Sequence, residues 1–295
     1  MKGVQPIEDK TAAGVAMMAV AVALFTCIDT SAKWLILFGL PALQVVFARY
    51  AGHLIYALVF YLPQEGLSGL KSQSPRLQFI RSICLMGSTI LNFTALSYLP
   101  ITVTTTIQFA MPIVVTLLAI PLLGEKVGIR RIIAVCVGFS GVLVVTQPWG
   151  AEWHPAMLLS ICGVIVAALY FVMTRMLAGL ESNATQQIWS SGVATIVLLP
   201  FVLKGWVWPD SLQAWIIFCA IGFFGASGHI IATTAHRWAD ASLLSPLFYT
   251  QILFAAIAGI LVFSTWPTIY TMGGGAIIIA SGLYIWARER KVKGG

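Results

Sequence analysis

Charge is what this 295-residue sequence has least of: Asp, Glu, Lys and Arg together make up 9% of it, while 59% is hydrophobic. An ordinary soluble domain carries about 25% charged residues. No soluble fold keeps that much apolar surface from water, so lipid is the solvent for most of the chain. No HExxH or GxSxG motif occurs, and no acidic pair falls in facing apolar segments. Intramembrane hydrolysis therefore has neither metal nor nucleophile, and no cofactor is expected. Rings of like charge and filter-like loops are also missing, which argues against a channel. The net charge of +7 forms no basic face interleaved with aromatics, so nucleic acid is not a partner. Cys27, Cys84, Cys136, Cys162 and Cys219 lack CxxC spacing and sit in apolar runs, as small buried residues do. No linker is polar or long enough to mark a soluble domain.

What is present is a series of ten apolar runs, each near the 20 or so residues that cross a bilayer. They cover residues 12–35, 41–62, 77–98, 101–123, 129–147, 155–177, 184–204, 211–234, 240–264 and 267–287. The first is too long for a signal-peptide core and reads as a retained span. With the N-terminus inside, the cytoplasmic segments hold Lys2, Lys10, Lys71, Arg76, Arg81, Lys126, Arg130, Arg131, Arg175, Arg237, Arg288, Arg290, Lys291 and Lys293, most of the seventeen Lys and Arg residues. That bias places both termini in the cytoplasm.

The second five runs echo the first. Ala95-Leu96-Ser97-Tyr98 answers Ala235-His236-Arg237-Trp238, Phe109 falls opposite Tyr249, and Ser140-Gly141 answers Ser281-Gly282, all at an offset of about 140 residues. Five spans per repeat force the halves into opposite orientations. The expected fold is an all-α integral membrane protein of ten transmembrane helices in two inverted five-helix repeats, residues 1–148 and 149–295. Inverted repeats of this kind characterise secondary transporters, with cargo held near the midplane.

The ten spans in two halves, Lys33 closing the first, Ala95-Leu96-Ser97-Tyr98 before the fourth and Gly124-Glu125-Lys126 after it resemble the drug/metabolite transporter superfamily. The closer likeness is to its branch of two-repeat bacterial exporters, and within that to aromatic amino acid exporters. The second half departs from the pattern, with Phe263-Ser264-Thr265-Trp266 where Gly-Glu-Lys would stand. The resemblance implies a multi-pass protein of the bacterial inner membrane that exports aromatic and other neutral amino acids by alternating access. It implies no prosthetic group and no obligate protein partner. A carrier of sugars, nucleotide-linked metabolites or drugs shares the fold; phosphate-bearing cargo would call for several central basic groups.

Charges within the bilayer are costly and invite functional readings. Asp29 and Lys33 lie four apart on one face of span one, and Arg49 lies near the midplane of span two. Either they form an ion pair that locks the spans, or one basic group is left to attract a carboxylate. Arg49 suits the second role, because a guanidinium grips a carboxylate through two hydrogen bonds; Asp29 suits an ammonium or a coupling proton. His53, one turn beyond Arg49, and His229 are proton-relay candidates or hydrogen-bonded core residues. Asn92, Gln108, Gln187 and Gln251 could read cargo or join helices. Tyr50, Phe109, Tyr170, Trp189, Phe248 and Tyr249 are the aromatics available to line a cavity for an apolar side chain. Trp149, Trp153, Trp206, Trp208 and Trp266 read as an interfacial belt. Gly222, Gly225, Gly228 and Gly273-Gly274-Gly275 permit close helix approach, and Pro112 and Pro246 interrupt spans four and nine as hinges or static kinks.

Overall fold

The computed structural model describes residues 11–123, 129–147, 153–177, 180–238 and 245–293, and these hold helices and turns but no strand. In chain order the α-helices are α1 (Thr11–Leu37), α2 (Ala42–Glu65), α3 (Pro75–Leu96), α4 (Ile101–Gln108), α5 (Met111–Leu123), α6 (Ile129–Thr146), α7 (Ala156–Met176), α8 (Asn183–Val202), α9 (Leu212–Trp238), α10 (Gln251–Phe263) and α11 (Ile269–Lys293). The Gly124-Glu125-Lys126 motif and Trp149 lie outside the described residues.

Local chemistry sets the boundaries. Pro41 and Pro100 precede α2 and α4, and Pro75 opens α3, where a missing N–H costs nothing. Ser182 caps α8 by accepting from the Thr185 N–H at 3.1 Å. Gly39, at φ 110°, makes the turn between α1 and α2.

Six helices are long and apolar enough to cross a membrane unaided: Ala12–Leu37, Ala42–Leu70, Pro75–Leu96, Ala156–Thr174, Asn183–Gly205 and Leu212–Ala232. The other four expected spans contain the shorter apolar helices Ile101–Val115, Cys136–Thr146, Leu247–Phe263 and Ile269–Ser281. Two of these are short because the helix changes form. Span four breaks at Phe109 and Ala110, and Pro112 is the second residue of the helix that restarts. Its ring nitrogen has no hydrogen to offer the Gln108 carbonyl, so the ladder stops there. In span nine the described residues begin with a 3₁₀ helix, Ser245–Thr250, with Pro246 second, and continue as the α-helix that starts at Gln251.

The helices pair mainly across the two halves of the chain. α1 packs on α9, α3 on α7 and α8, α2 on α8 and α9, α4 on α10, and α6 on α11; α5 meets α7 as α10 meets α1. Exchanging each helix for its counterpart in the other half turns this set of pairings into itself. Glycine makes the tightest contacts possible. A Cβ on Gly222 would stand 2.5 Å from the Gly52 Cα, so α2 and α9 touch backbone to backbone. Gly141 and Gly274 do the same for α6 and α11, where a Cβ on Gly141 would meet the Gly274 carbonyl at 2.8 Å. One buried core gathers Tyr50, Phe93, Leu96, Leu35 and Ile221; a second gathers Ile107, Phe109, Val145, Val164 and Ile278. Val59, Ile196, Leu261 and Ile269 are among the large apolar side chains left facing outward, as a lipid-facing surface requires. All five cysteines are free; Cys136, Cys162 and Cys219 are exposed rather than buried.

Candidate functional site

Arg49 enters the interior from α2 and is 8% exposed. Its Nη1 donates to Thr89 Oγ1 at 2.6 Å and reaches the Tyr50 hydroxyl at 3.4 Å. The Tyr50 and Thr89 hydroxyls lie 2.7 Å apart, and each also donates to the Leu85 carbonyl at 3.0 Å. The guanidinium carbon stands 5.0 Å from the Tyr50 ring centre and 5.9 Å from that of Phe93, within cation–π range. The Arg49 Nε is buried with no hydrogen-bond partner among the described residues. A charged donor buried without an acceptor favours whatever group can supply one.

Asp29, Asn92 and Gln108 form a relay across α1, α3 and α4. Gln108 Nε2 donates to Asn92 Oδ1 at 2.7 Å, and Asn92 Nδ2 donates to Asp29 Oδ1 at 3.1 Å. The carboxylate accepts only, which sets the Asn92 amide and then the Gln108 amide in turn.

The Asp29–Lys33 pair suggested by their spacing does not form. The Lys33 ammonium donates to the Leu96 and Leu99 carbonyls at 3.2 and 2.5 Å, and lies 5.4 Å from the Phe263 ring centre. Those carbonyls belong to the last residue of α3 and the turn after it, where backbone acceptors lack helical partners and the helix dipole is negative. Lys33 is a helix-end clamp between α1 and α3.

His53 and His229 stack with ring centres 5.6 Å apart at 15°, and Phe25 tilts against His229 at 5.2 Å. The Gly52–Gly222 contact brings α2 and α9 close enough for this. His53 Nε2 is buried with no hydrogen-bond partner among the described residues, and Gln187 lies beside the ring.

Arg81, counted by its position among the cytoplasmic topology cations, is wedged between helices. It is 3% exposed, between α3, α7 and α8. Nε donates to Thr174 Oγ1 at 2.7 Å, Nη2 to the Tyr170 hydroxyl at 3.0 Å, and Nη1 to Gln78 Oε1 at 2.8 Å, Ser190 Oγ at 3.2 Å and the Gln186 carbonyl at 3.5 Å. Every acceptor is neutral. The guanidinium carbon lies 4.7 Å from the Tyr170 ring centre, repeating the arginine–tyrosine–threonine arrangement of Arg49, Tyr50 and Thr89. Among the described residues the interior thus holds two guanidinium groups where one was expected. The signal that would have found the second is the polar stripe Gln78, Arg81, Ser82, Ser88, Thr89 and Asn92, which repeats at helical spacing along α3.

Tyr170 therefore joins the central cluster, but Trp189 does not. Its Nε1 donates to the Leu70 carbonyl at 3.0 Å in an outer groove with Pro75, Arg76, Phe79 and Ile80. Gln251 is buried at the start of α10. Phe109 and Tyr249 pack on each other.

Arginines, amides and aromatic rings around a membrane interior make a binding set. The model of the EamA-like transporter family matches residues 12–147 and again residues 154–287. The chain belongs to that family. This EamA-like transporter, of the drug/metabolite transporter superfamily, is a two-repeat membrane protein and not an enzyme, and it resides in the bacterial inner membrane as a multi-pass protein. It is 28% identical over 256 residues to the S-adenosylmethionine uptake transporter of Rickettsia prowazekii, with 85% of each chain covered. It is also 28% identical over 284 residues to the riboflavin transporter of Vibrio cholerae, with 94% of each covered. A solved crystal structure shares the fold at a TM-score of 0.65 and 16% identity, covering 92% of this chain and 96% of that one. Neither relative is named for amino-acid export, and the first is named for uptake.

Proposed function

We propose that this chain is a secondary carrier for metabolites that join an α-amino-acid head to a flat ring, aromatic amino acids first among them. The observation that carries this reading is the buried Arg49 Nε, without a hydrogen-bond partner among the described residues, in the same interior as the Asn92-held Asp29 carboxylate. An α-carboxylate completes the hydrogen bonding of the first, and an α-ammonium neutralises the second. S-adenosylmethionine, the cargo named for one relative, is an α-amino acid bearing an adenine ring; riboflavin, named for the other, has the flat ring without the head. His53, His229, Tyr170 and Gln251 complete the proposed lining.

Both termini are placed in the cytoplasm in this proposal, with residues 1–148 and 149–295 as inverted repeats that rock about the breaks before Pro112 and around Pro246. Alternating access is reversible, so net direction follows the gradients that drive it, export included.

The test is uptake of labelled phenylalanine, tryptophan, S-adenosylmethionine and riboflavin into proteoliposomes by the intact protein and by Arg49→Ala. The amino acids and S-adenosylmethionine are expected to saturate. The variant is expected to lose about tenfold to a hundredfold in their apparent affinity, equivalent to one charged hydrogen-bonded contact of about 1.5–3 kcal/mol. Riboflavin as the sole transported compound would sink the head-group reading.

A further inference from the structure

We infer that Arg81 and Gln78 form a second oxyanion station, to which the cargo carboxylate passes from Arg49. The cargo's identity rests on the reading above; the station rests on its own geometry.

A guanidinium has five N–H donors in a fixed fork. Among the described residues Arg81 Nη2 uses a single acceptor, the Tyr170 hydroxyl, which leaves one of its two hydrogens uncommitted there. Gln78 presents its oxygen to Arg81, and that contact fixes the amide, because the reverse orientation would set donor against donor. The Gln78 Nε2 is thereby turned away from the guanidinium, fully buried and without a hydrogen-bond partner among the described residues. A permanent cation whose acceptors are all neutral stands beside an amide donor that has no acceptor. A buried charge in such surroundings demands an anion, and two donor groups one helical turn apart on α3 suit the two oxygens of a carboxylate.

The stations lie in series. Arg49 bonds Thr89, near the end of α3, whereas Arg81 lies near its start, about 12 Å away along the axis at about 1.5 Å per residue. Between them stand the stacked His53 and His229, and His229 lies within the field of both guanidinium groups. Gln187 flanks His53, while its chain neighbour Gln186 gives its carbonyl to Arg81. A carboxylate leaving Arg49 thus has polar donors along the route toward the end of the bundle where α3 begins.

The experiment follows the thermal unfolding midpoint of the full-length protein in detergent during titration with sodium benzoate and, separately, inorganic phosphate. In Arg49→Gln, with the first station removed, benzoate is expected still to raise the midpoint by a few degrees. Gln78→Glu added to that background tethers a carboxylate against Arg81: the midpoint should start higher and benzoate should add nothing. Arg81→Gln should also lose the response, and Gln78→Glu, which keeps the guanidinium and its packing, decides the matter where Arg81→Gln does not fold. Absence of any benzoate response in Arg49→Gln, or a response that survives Gln78→Glu, overturns the station. A response to phosphate alone overturns its assignment to the cargo carboxylate. Benzoate binding that follows this pattern in a protein unable to transport phenylalanine leaves the station standing and removes the amino-acid reading.

Discussion

Phe109 and Tyr249 meet edge to face, ring centres 5.4 Å apart at 81°, and each sits where its span departs from α-helical form. Phe109 occupies the break between α4 and α5, and Tyr249 lies in the 3₁₀ turn that leads into α10. The two interrupted spans are joined at their interruptions. Edge-to-face pairs contribute about 0.5–1.5 kcal/mol beyond burial. A double-mutant cycle with Phe109→Leu and Tyr249→Leu, read as unfolding free energy, should return a coupling in that range. Additive effects would show that the rings are neighbours without energetic consequence.

Gly222→Ala places a Cβ 2.5 Å from the Gly52 Cα, and backbone cannot give way as a side chain can. The helices must part, at a cost of about 1–3 kcal/mol or more, which shifts His53 from His229. The expected outcome is a lowered unfolding midpoint and transport lost. Gly205→Ala, where nothing lies within 4 Å, is the control and should change neither.

Lys33→Met keeps the length of the side chain and removes the ammonium from the Leu96 and Leu99 carbonyls. Leaving those acceptors unpaired should cost about 1–3 kcal/mol of stability. Phenylalanine affinity, measured on the folded fraction, should stay within about twofold, since the clamp joins α1 to α3 away from Arg49. A tenfold loss of affinity would return Lys33 to the cargo site.

Asp29→Asn retains an oxygen for the Asn92 amide and removes only the charge. Apparent affinity for phenylalanine should fall about tenfold or more, the scale of a charged contact, whereas 3-phenylpropionate, which has no ammonium, should bind as before. Equal losses for both compounds would mean that Asp29 supports the site's shape and does not read the ammonium.

Most of the helices were legible in the sequence because length and hydropathy suffice for a span. So were Asp29, Asn92, Gln108 and Arg49, as rare polar groups in apolar runs. Lys33 was misjudged because spacing reports a shared face but not what a neighbouring helix end offers; the bare carbonyls at Leu96 and Leu99 become visible only once α3 is packed. Arg81 was misjudged because charges near span ends count as topology signals, and depth alone does not separate a loop cation from one wedged between α7 and α8. Trp189 carries no mark in the sequence to distinguish an outer-groove ring from a cavity ring.

The pairing of helices across the two halves has a consequence for biosynthesis. A ribosome that has delivered residues up to the middle of the chain has released α1 and α3 into the bilayer before α7, α8 and α9, their main partners, exist. Until those arrive, Arg81 lacks Tyr170, Thr174 and Ser190, the acceptors that the second half supplies. Tertiary assembly of the first half therefore has to await the second. Two fragments cut between residues 147 and 153, made in the same cell, should each insert alone, turn over quickly, and persist only when both are present.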